Sequence, residues 1–316
     1  MRYSIVNRFR GTLLGAFLGE SLGDNDAKQS QRLETLPATS LHWGKILVLG
    51  AESLIELGTF DLDDWLQRQQ RESPNLDACK GVSPNMILAT LPVTLFFHDN
   101  TIKLRQNLLH AVKIWHDDPV VRDGTLAVSY ALAQSLTEKL NPATLISQTI
   151  SFLGETTTSL PQNLLKVNVL LEHGASLERV QAELSREEKL SNAVAMAFYC
   201  FLGTLEDYRL SVLRATRNGL YPKATSAITG ALSGSYNSTI GIPVNWLCLQ
   251  KQANSAASGL TSFFEMVKLA DALMCVWSGV YDLALNSTEV RDSASAMAQS
   301  ATPSQAIASP RVIRLR

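Results

Sequence analysis

Residues 214–246 read RATRNGLYPKATSAITGALSGSYNSTIGIPVNW, and this stretch decides the fold. Its second half carries Ala224, Ala227, Gly230, Ala231 and Gly234 at helical spacing. Small side chains on one helix face let a second backbone come close, so the pattern predicts a buried central helix. The helix should break over Asn237 to Gly241, and the chain then reaches Pro243 and Trp246.

The flanking segments are also helical in pattern. Upstream, NAVAMAFYCFL at 192–202 predicts a deeply buried helix and 207–217 predicts the next one. Downstream, one helix is expected from Trp246 to about Gln252. A long apolar one follows over 260–281, with Phe263, Phe264, Val267, Leu269, Leu273 and Trp277. Near the start, Phe9, Leu13, Leu14, Phe17, Leu18 and Leu22 give helical periodicity over 6–22. Residues 24–41 are polar and predict a loop. Ile46, Leu49, Ala51, Leu54 and Ile55 predict a helix that stops at Gly58. Asp61, Asp63 and Asp64 suit the cap and first turn of another.

Residues 86–97 are almost wholly apolar and predict one buried helix, followed by 102–115. His116-Asp117-Asp118-Pro119 looks like a metal cluster, but an N-cap aspartate before a proline explains it better, opening a helix over 121–136. Further helices are expected over 141–153, 161–172 and 176–189. No alternating strand pairs and no β-α-β rhythm occur, so the fold class is all-α. Residues 1–285 form the helical domain, and the Ser-, Ala- and Gln-rich 286–316 is expected to be a disordered tail. Its end, SPRVIRLR, alternates basic and aliphatic residues and offers a docking segment for a partner.

The chain has 316 residues, 46% of them hydrophobic, which suffices for a large core. A net charge of −1 gives no electrostatic case for nucleic acid or an acidic membrane. No apolar run reaches the ~18 residues of a membrane span. Thr12 to Leu18 is short and broken by glycine, with no small-x-small cleavage site, so it reads as a first core helix rather than a secretory signal. Cys79, Cys200, Cys248 and Cys275 lack metal-ligand spacing and read as buried hydrophobes in a reducing, cytoplasmic setting.

Four places in the chain resemble one family, the ADP-ribosylglycohydrolases of the dinitrogenase reductase-activating type. Gly230-Ala231-Leu232-Ser233-Gly234-Ser235 and Ile242-Pro243-Val244-Asn245-Trp246 are similar to its closing motif. Arg8, Gly11, Leu13, Gly15, Gly19, Glu20, Ser21, Leu22 and Gly23 resemble its opening motif, with Glu20 at an aspartate position. Ala51-Glu52-Ser53-Leu54 resembles the helix that follows its T-D-D-T, and 81–92 resembles its G-N-G-x-x-M-R segment with Ile87 in place of the arginine. The resemblance spans residues 5–282 and implies an all-α fold.

The resemblance also implies two Mg²⁺ ions in a cleft between helix ends, held by aspartates that orient ADP-ribose and a water. Mg²⁺ demands hard oxygen ligands in an octahedron, and metal-assisted hydrolysis depends on its charge. Counting along the motifs, T-D-D-T falls on Leu41, His42, Trp43 and Gly44, and the two later aspartates fall on Tyr221 and Lys223. Lysine cannot ligate Mg²⁺ while protonated. The residues therefore predict that this chain lacks the metal site and uses no cofactor. Asp123 or Asp117 stands nearest the family's mid-chain acidic position, and one carboxylate does not make a two-metal site.

The functional expectation is a catalytically inactive glycohydrolase-like protein with a binding or regulatory role. Glu20, His42, Trp43, Lys45, Tyr221 and Lys223 line the vacated cleft. They either fill it or offer cations and aromatic surface to an ADP-ribose-like nucleotide. The alternatives are a hydrolase rewired through Glu20, Asp24 or Asp123, and a structural subunit that captures a protein partner.

Overall fold

The computed structural model describes residues 3–28, 42–72, 85–115, 117–184, 188–217, 221–247 and 263–280. The expected tail from 286 onward lies outside these. Among the described residues every regular element is helical. In chain order they are α1 (Ile5–Lys28), α2 (His42–Leu57), α3 (Leu62–Glu72), α4 (Asn85–Ala89), α5 (Leu91–Phe97) and α6 (Thr101–Ala111). Then come α7 (Pro119–Leu136), α8 (Leu145–Leu153), α9 (Leu160–Glu172), α10 (Leu177–Glu183) and α11 (Lys189–Leu202). The last are α12 (Tyr208–Thr216), α13 (Pro222–Asn237) and α14 (Phe263–Ser278).

The centre is an antiparallel pair, α1 on α13. Gly11 faces Gly234, Gly15 faces Gly230, Gly19 faces Ser226, and Gly23 faces Pro222 and Lys223. Each step of four residues along α1 is matched by a step of four back along α13. A Cβ at Gly15 would stand 2.9 Å from the Gly230 carbonyl carbon, inside any carbon–carbon contact distance. Only glycine allows this approach. Ser226 Oγ donates across the pair to Gly19 O at 2.6 Å, and Tyr208 Oη, from α12, donates to Gly15 O at 3.1 Å and brings α12 onto α1.

The other helices wrap this pair. α7, α11 and α12 pack on α13, while α14 packs on α1 and joins it to α2 and α5. One continuous hydrophobic core results, with Trp43, Trp65, Phe9, Phe198 and Phe201 fully buried. Arg10 pairs with Asp271 through Nε and Nη2 at 2.6 and 2.7 Å, tying α14 to α1 at the surface. No helix among the described residues is long and apolar enough to cross a membrane.

Local chemistry sets the boundaries. Asp61 Oδ1 accepts from the Asp63 and Asp64 amides, and Asp118 Oδ1 from those of Val120 and Val121, so both predicted caps form. α10 ends at Glu183 rather than 189, α11 starts at Lys189 rather than 192, α6 gives way to a 3-10 turn after Ala111, and three further differences from expectation have a visible cause. α1 runs on to Lys28 rather than stopping near 22, because Gly23 serves close packing on α13 instead of ending the helix. The apolar run 86–97 is two helices, parted at Thr90, with Pro92 in the first turn of α5. A proline there has no amide to donate to the preceding turn. The third is α8, which begins at Leu145 rather than Asn141 because the Asn141 side chain accepts from Ala143 N and forms a turn.

Candidate functional site

The residues picked from the sequence fall around the C-terminal half of α1. α2 enters beside Glu20, α13 starts beside Gly23, and α4 packs against α2, α7 and α13. Glu20 is buried, 4% exposed, and Trp43 is 1% exposed. The indole Nε1–H of Trp43 donates to Glu20 Oε2 at 2.7 Å. The structure thus brings these two together as a bonded pair linking α1 to the first turn of α2. A carboxylate beside a helix N-terminus also lies at the favourable end of that helix's dipole.

The remaining described positions are partly or fully exposed. Tyr221 is the N-cap of α13, 40% exposed, with φ 53°. That left-handed conformation is uncommon outside glycine and costs about 1 kcal/mol or more. Lys223 is half-buried on the first turn of α13, its Cα against Gly23, and Lys45 is exposed on α2. The side chains of His42 and Asp24 lie outside the described residues. Asp117 is exposed, at φ 54°.

Asp123 sits on α7, 1% exposed, and its role is visible in its partners. Thr158 Oγ1 donates to Asp123 Oδ2 at 2.6 Å, Thr156 Oγ1 donates to the same oxygen, and Arg122 Nε donates to Oδ1 at 3.1 Å. Oδ2 pins the 156–158 turn to α7, while Oδ1 accepts from Arg122, its neighbour on the same helix.

By motif counting, the residues paired with the family's metal ligands differ from them in chemistry. Trp43 offers an N–H donor where a carboxylate would be required, Lys223 offers a cation, and the Glu20 oxygen nearest α2 accepts from an indole. Among the described residues no three His, Cys, Asp or Glu side chains converge to hold a metal ion.

Sequence reasoning missed two elements. Ser226 closes α13 onto Gly19, and its signal was the serine standing in a ladder of small residues. The Trp43–Glu20 bond had no local signal, since 23 residues separate the partners.

The model of the ADP-ribosylglycohydrolase family matches residues 1–279 of the chain. A solved structure described as an ADP-ribosylglycohydrolase-related protein complex is similar in fold. It has a TM-score of 0.60 and 20% sequence identity, covering 85% of this chain and 99% of its own. No curated protein sequence matches the chain. With the family model spanning nearly all of the helical body and the central α1–α13 pair built on two of its motifs, this chain belongs to the ADP-ribosylglycohydrolase family.

Proposed function

We propose that this chain is a catalytically inactive ADP-ribosylglycohydrolase-like protein with a binding or regulatory role, working without Mg²⁺. The observation that carries the reading is the buried Trp43–Glu20 bond. By motif counting the indole stands at a position where the family has a metal-ligating aspartate, and its N–H takes up a Glu20 oxygen. Lys223, at a second acidic position, opposes a divalent cation by charge.

What remain for a ligand are the partly or fully exposed positions. Lys45, Lys223 and Tyr221 offer two ammonium groups and a partly exposed aromatic ring, which suit the phosphates and base of an ADP-ribose-like nucleotide. A rewired hydrolase would need a free acid or base. Of the three acids that could serve, Glu20 accepts from the Trp43 indole and Asp123 from Thr158 and Arg122, while the Asp24 side chain lies outside the described residues, so the inactive reading is preferred. We place the protein in a reducing, cytoplasmic compartment. Cys200 and Cys275 are free, and burial pushes the Cys200 thiol up to about 12, where it is inert.

The test is calorimetric titration with ADP-ribose, in Mg²⁺ and again in EDTA, alongside a release assay on an ADP-ribosylated protein. The reading expects no release, equal binding in both buffers, and weaker binding by Lys223→Asp. Release, or binding that requires Mg²⁺, overturns it. Absence of binding in both buffers removes the nucleotide and leaves an inactive subunit whose partner is a protein.

A further inference from the structure

α14 carries apolar residues on more than the side it buries. Met266, Ala270 and Leu273 fall on one face at helical spacing and are fully buried. The opposite face carries Phe264, Lys268, Ala272 and Cys275. Phe264 is 63% exposed, Lys268 and Cys275 are exposed, and Ala272 is half-buried. The Lys268 ammonium lies over the Phe264 ring, 4.8 Å from its centroid, so the lysine is folded back onto its own helix. A helix with apolar residues on both sides belongs against two surfaces. Among the described residues α14 has one, the core side.

One flank of the open face is acidic. α14 packs on α2, and Glu265 of α14 lies close enough to Glu52 of α2 to act on its titration. Burial, the larger cause, and the carboxylates of Glu56, Glu72 and Glu265 push the Glu52 pKa above its ordinary value, against the pull of Arg68. Three carboxylates and one guanidinium therefore act on Glu52. That guanidinium is already shared between Glu56 Oε2 and Asp64 Oδ2, both at 2.6 Å.

We propose that the outer face of α14 is the docking site for residues 309–316 of this same chain, SPRVIRLR. Three arginines interleave there with Val312, Ile313 and Leu315, and the segment contains no acid. Its aliphatic side chains suit Phe264, Ala272 and Cys275, and its guanidiniums suit the carboxylates beside them. Reach is sufficient. Val280 stands two residues past the end of α14, and residues 281–308 separate it from Ser309. A flexible tether of that length spans about 30 Å, and α14 is about 24 Å long, so the segment can reach any part of the face. Tethering also holds the segment at millimolar local concentration, so weak contacts suffice. A second copy of the chain would bring the same acidic flank with it, which opposes pairing of two such faces. The docking does not depend on what the Glu20 region binds.

The experiment traps the docked segment by a disulfide to Cys275 in the full chain. Ser309→Cys and Ser295→Cys are made separately and oxidised with diamide, and the linked peptides are quantified by mass spectrometry. An undocked tether closes the shorter loop sooner, so position 295 would react about two-fold faster than position 309. Docking reverses this order: position 309 should react about five-fold faster or more. Its advantage should shrink in about 1 M salt, where charge pairing is screened. Added to Ser309→Cys, either Arg311→Glu with Arg314→Glu or Phe264→Ser should return the rate to the tether value. Phe264 is exposed, so its replacement leaves the core intact, and circular dichroism checks this. Position 295 reacting as fast as 309 or faster overturns the proposal. A rate indifferent to both the arginine and the Phe264 substitutions overturns it as well. Linked dimers in place of intramolecular loops, increasing with protein concentration, would give the face to a second copy and overturn docking within one chain.

Discussion

Gly230→Ala should destabilise the protein strongly, although helix propensity alone predicts the opposite. In an isolated helix, alanine is better than glycine by about 1 kcal/mol. In α13 the added Cβ would stand 2.8 Å from the Gly15 carbonyl carbon and 3.5 Å from the Ala16 nitrogen. Both neighbours are backbone, so no side chain can swing aside. Comfortable carbon–carbon contact needs ~3.5–4.0 Å, so α1 and α13 must part by roughly 1 Å. Parting by that much forfeits about a quarter to a half of each dispersion contact along the seam. Overpacking in a yielding core costs about 1–3 kcal/mol, and an unyielding backbone places this site at or above the top of that range. Crediting the propensity gain, the expected net loss is about 3 kcal/mol. With a urea slope near 3 kcal/mol/M, the unfolding midpoint falls by about 1 M. Gly174→Ala is the comparison, since nothing lies within 4 Å of its Cβ and only its φ of +59° opposes alanine. It should lose about 1 kcal/mol. If Gly230→Ala unfolds at the wild-type midpoint or later, the close-approach argument for α1 and α13 is wrong.

Other outcomes follow from single contacts. Trp43→Phe keeps the ring and deletes the N–H that reaches Glu20, so stability should drop by about 1–3 kcal/mol in urea unfolding, as for a buried carboxylate losing a partner. That loss should be the same in Mg²⁺ and in EDTA; rescue by Mg²⁺ would indicate a metal at Glu20. His98 is packed between Phe9 and Trp277, at ring distances of 5.4 and 4.8 Å. Burial pushes its pKa below the ordinary 6.5, against a weaker opposing pull from the Leu95 carbonyl and Asp99. The unfolded chain then binds the proton more readily, so stability is complete above pH 6.5 and declines as pH falls below it. Urea midpoints measured across that range should fall faster for the wild type than for His98→Phe, and parallel curves would rule the effect out.

Much of the fold could be read in advance because its signals are local. Asp61 and Asp118 announce caps by position, and the 192–202 run announces burial by composition. The small-residue face of α13 was equally plain. Its partner was not, although Gly11, Gly15, Gly19 and Gly23 repeat the same interval of four. Matching two ladders this far apart in the chain is a question of tertiary register, which no local window contains. Thr90 shows the converse limit: an unbroken apolar run gives the reader no punctuation, and only packing shows where it divides. At the candidate site the residue types were legible and their relation was not. Glu20 and Trp43 each looked like a group offered to a ligand, and in the structure each is the other's partner.

The glycine seam also has a consequence for how the chain is made. The Ser226–Gly19 bond across it joins residues 207 positions apart, and beside it Tyr208 of α12 reaches Gly15 over 193. α1 is synthesised some 200 residues before α13 and cannot acquire its seat until α13 has been translated. Until then its apolar surface has only later, peripheral helices to cover it. Contacts of such long sequence separation slow folding and prolong the exposure of sticky intermediates. A nascent chain halted before Pro222 would hold α1 without its most extensive partner, so completion of the core waits on the translation of α13.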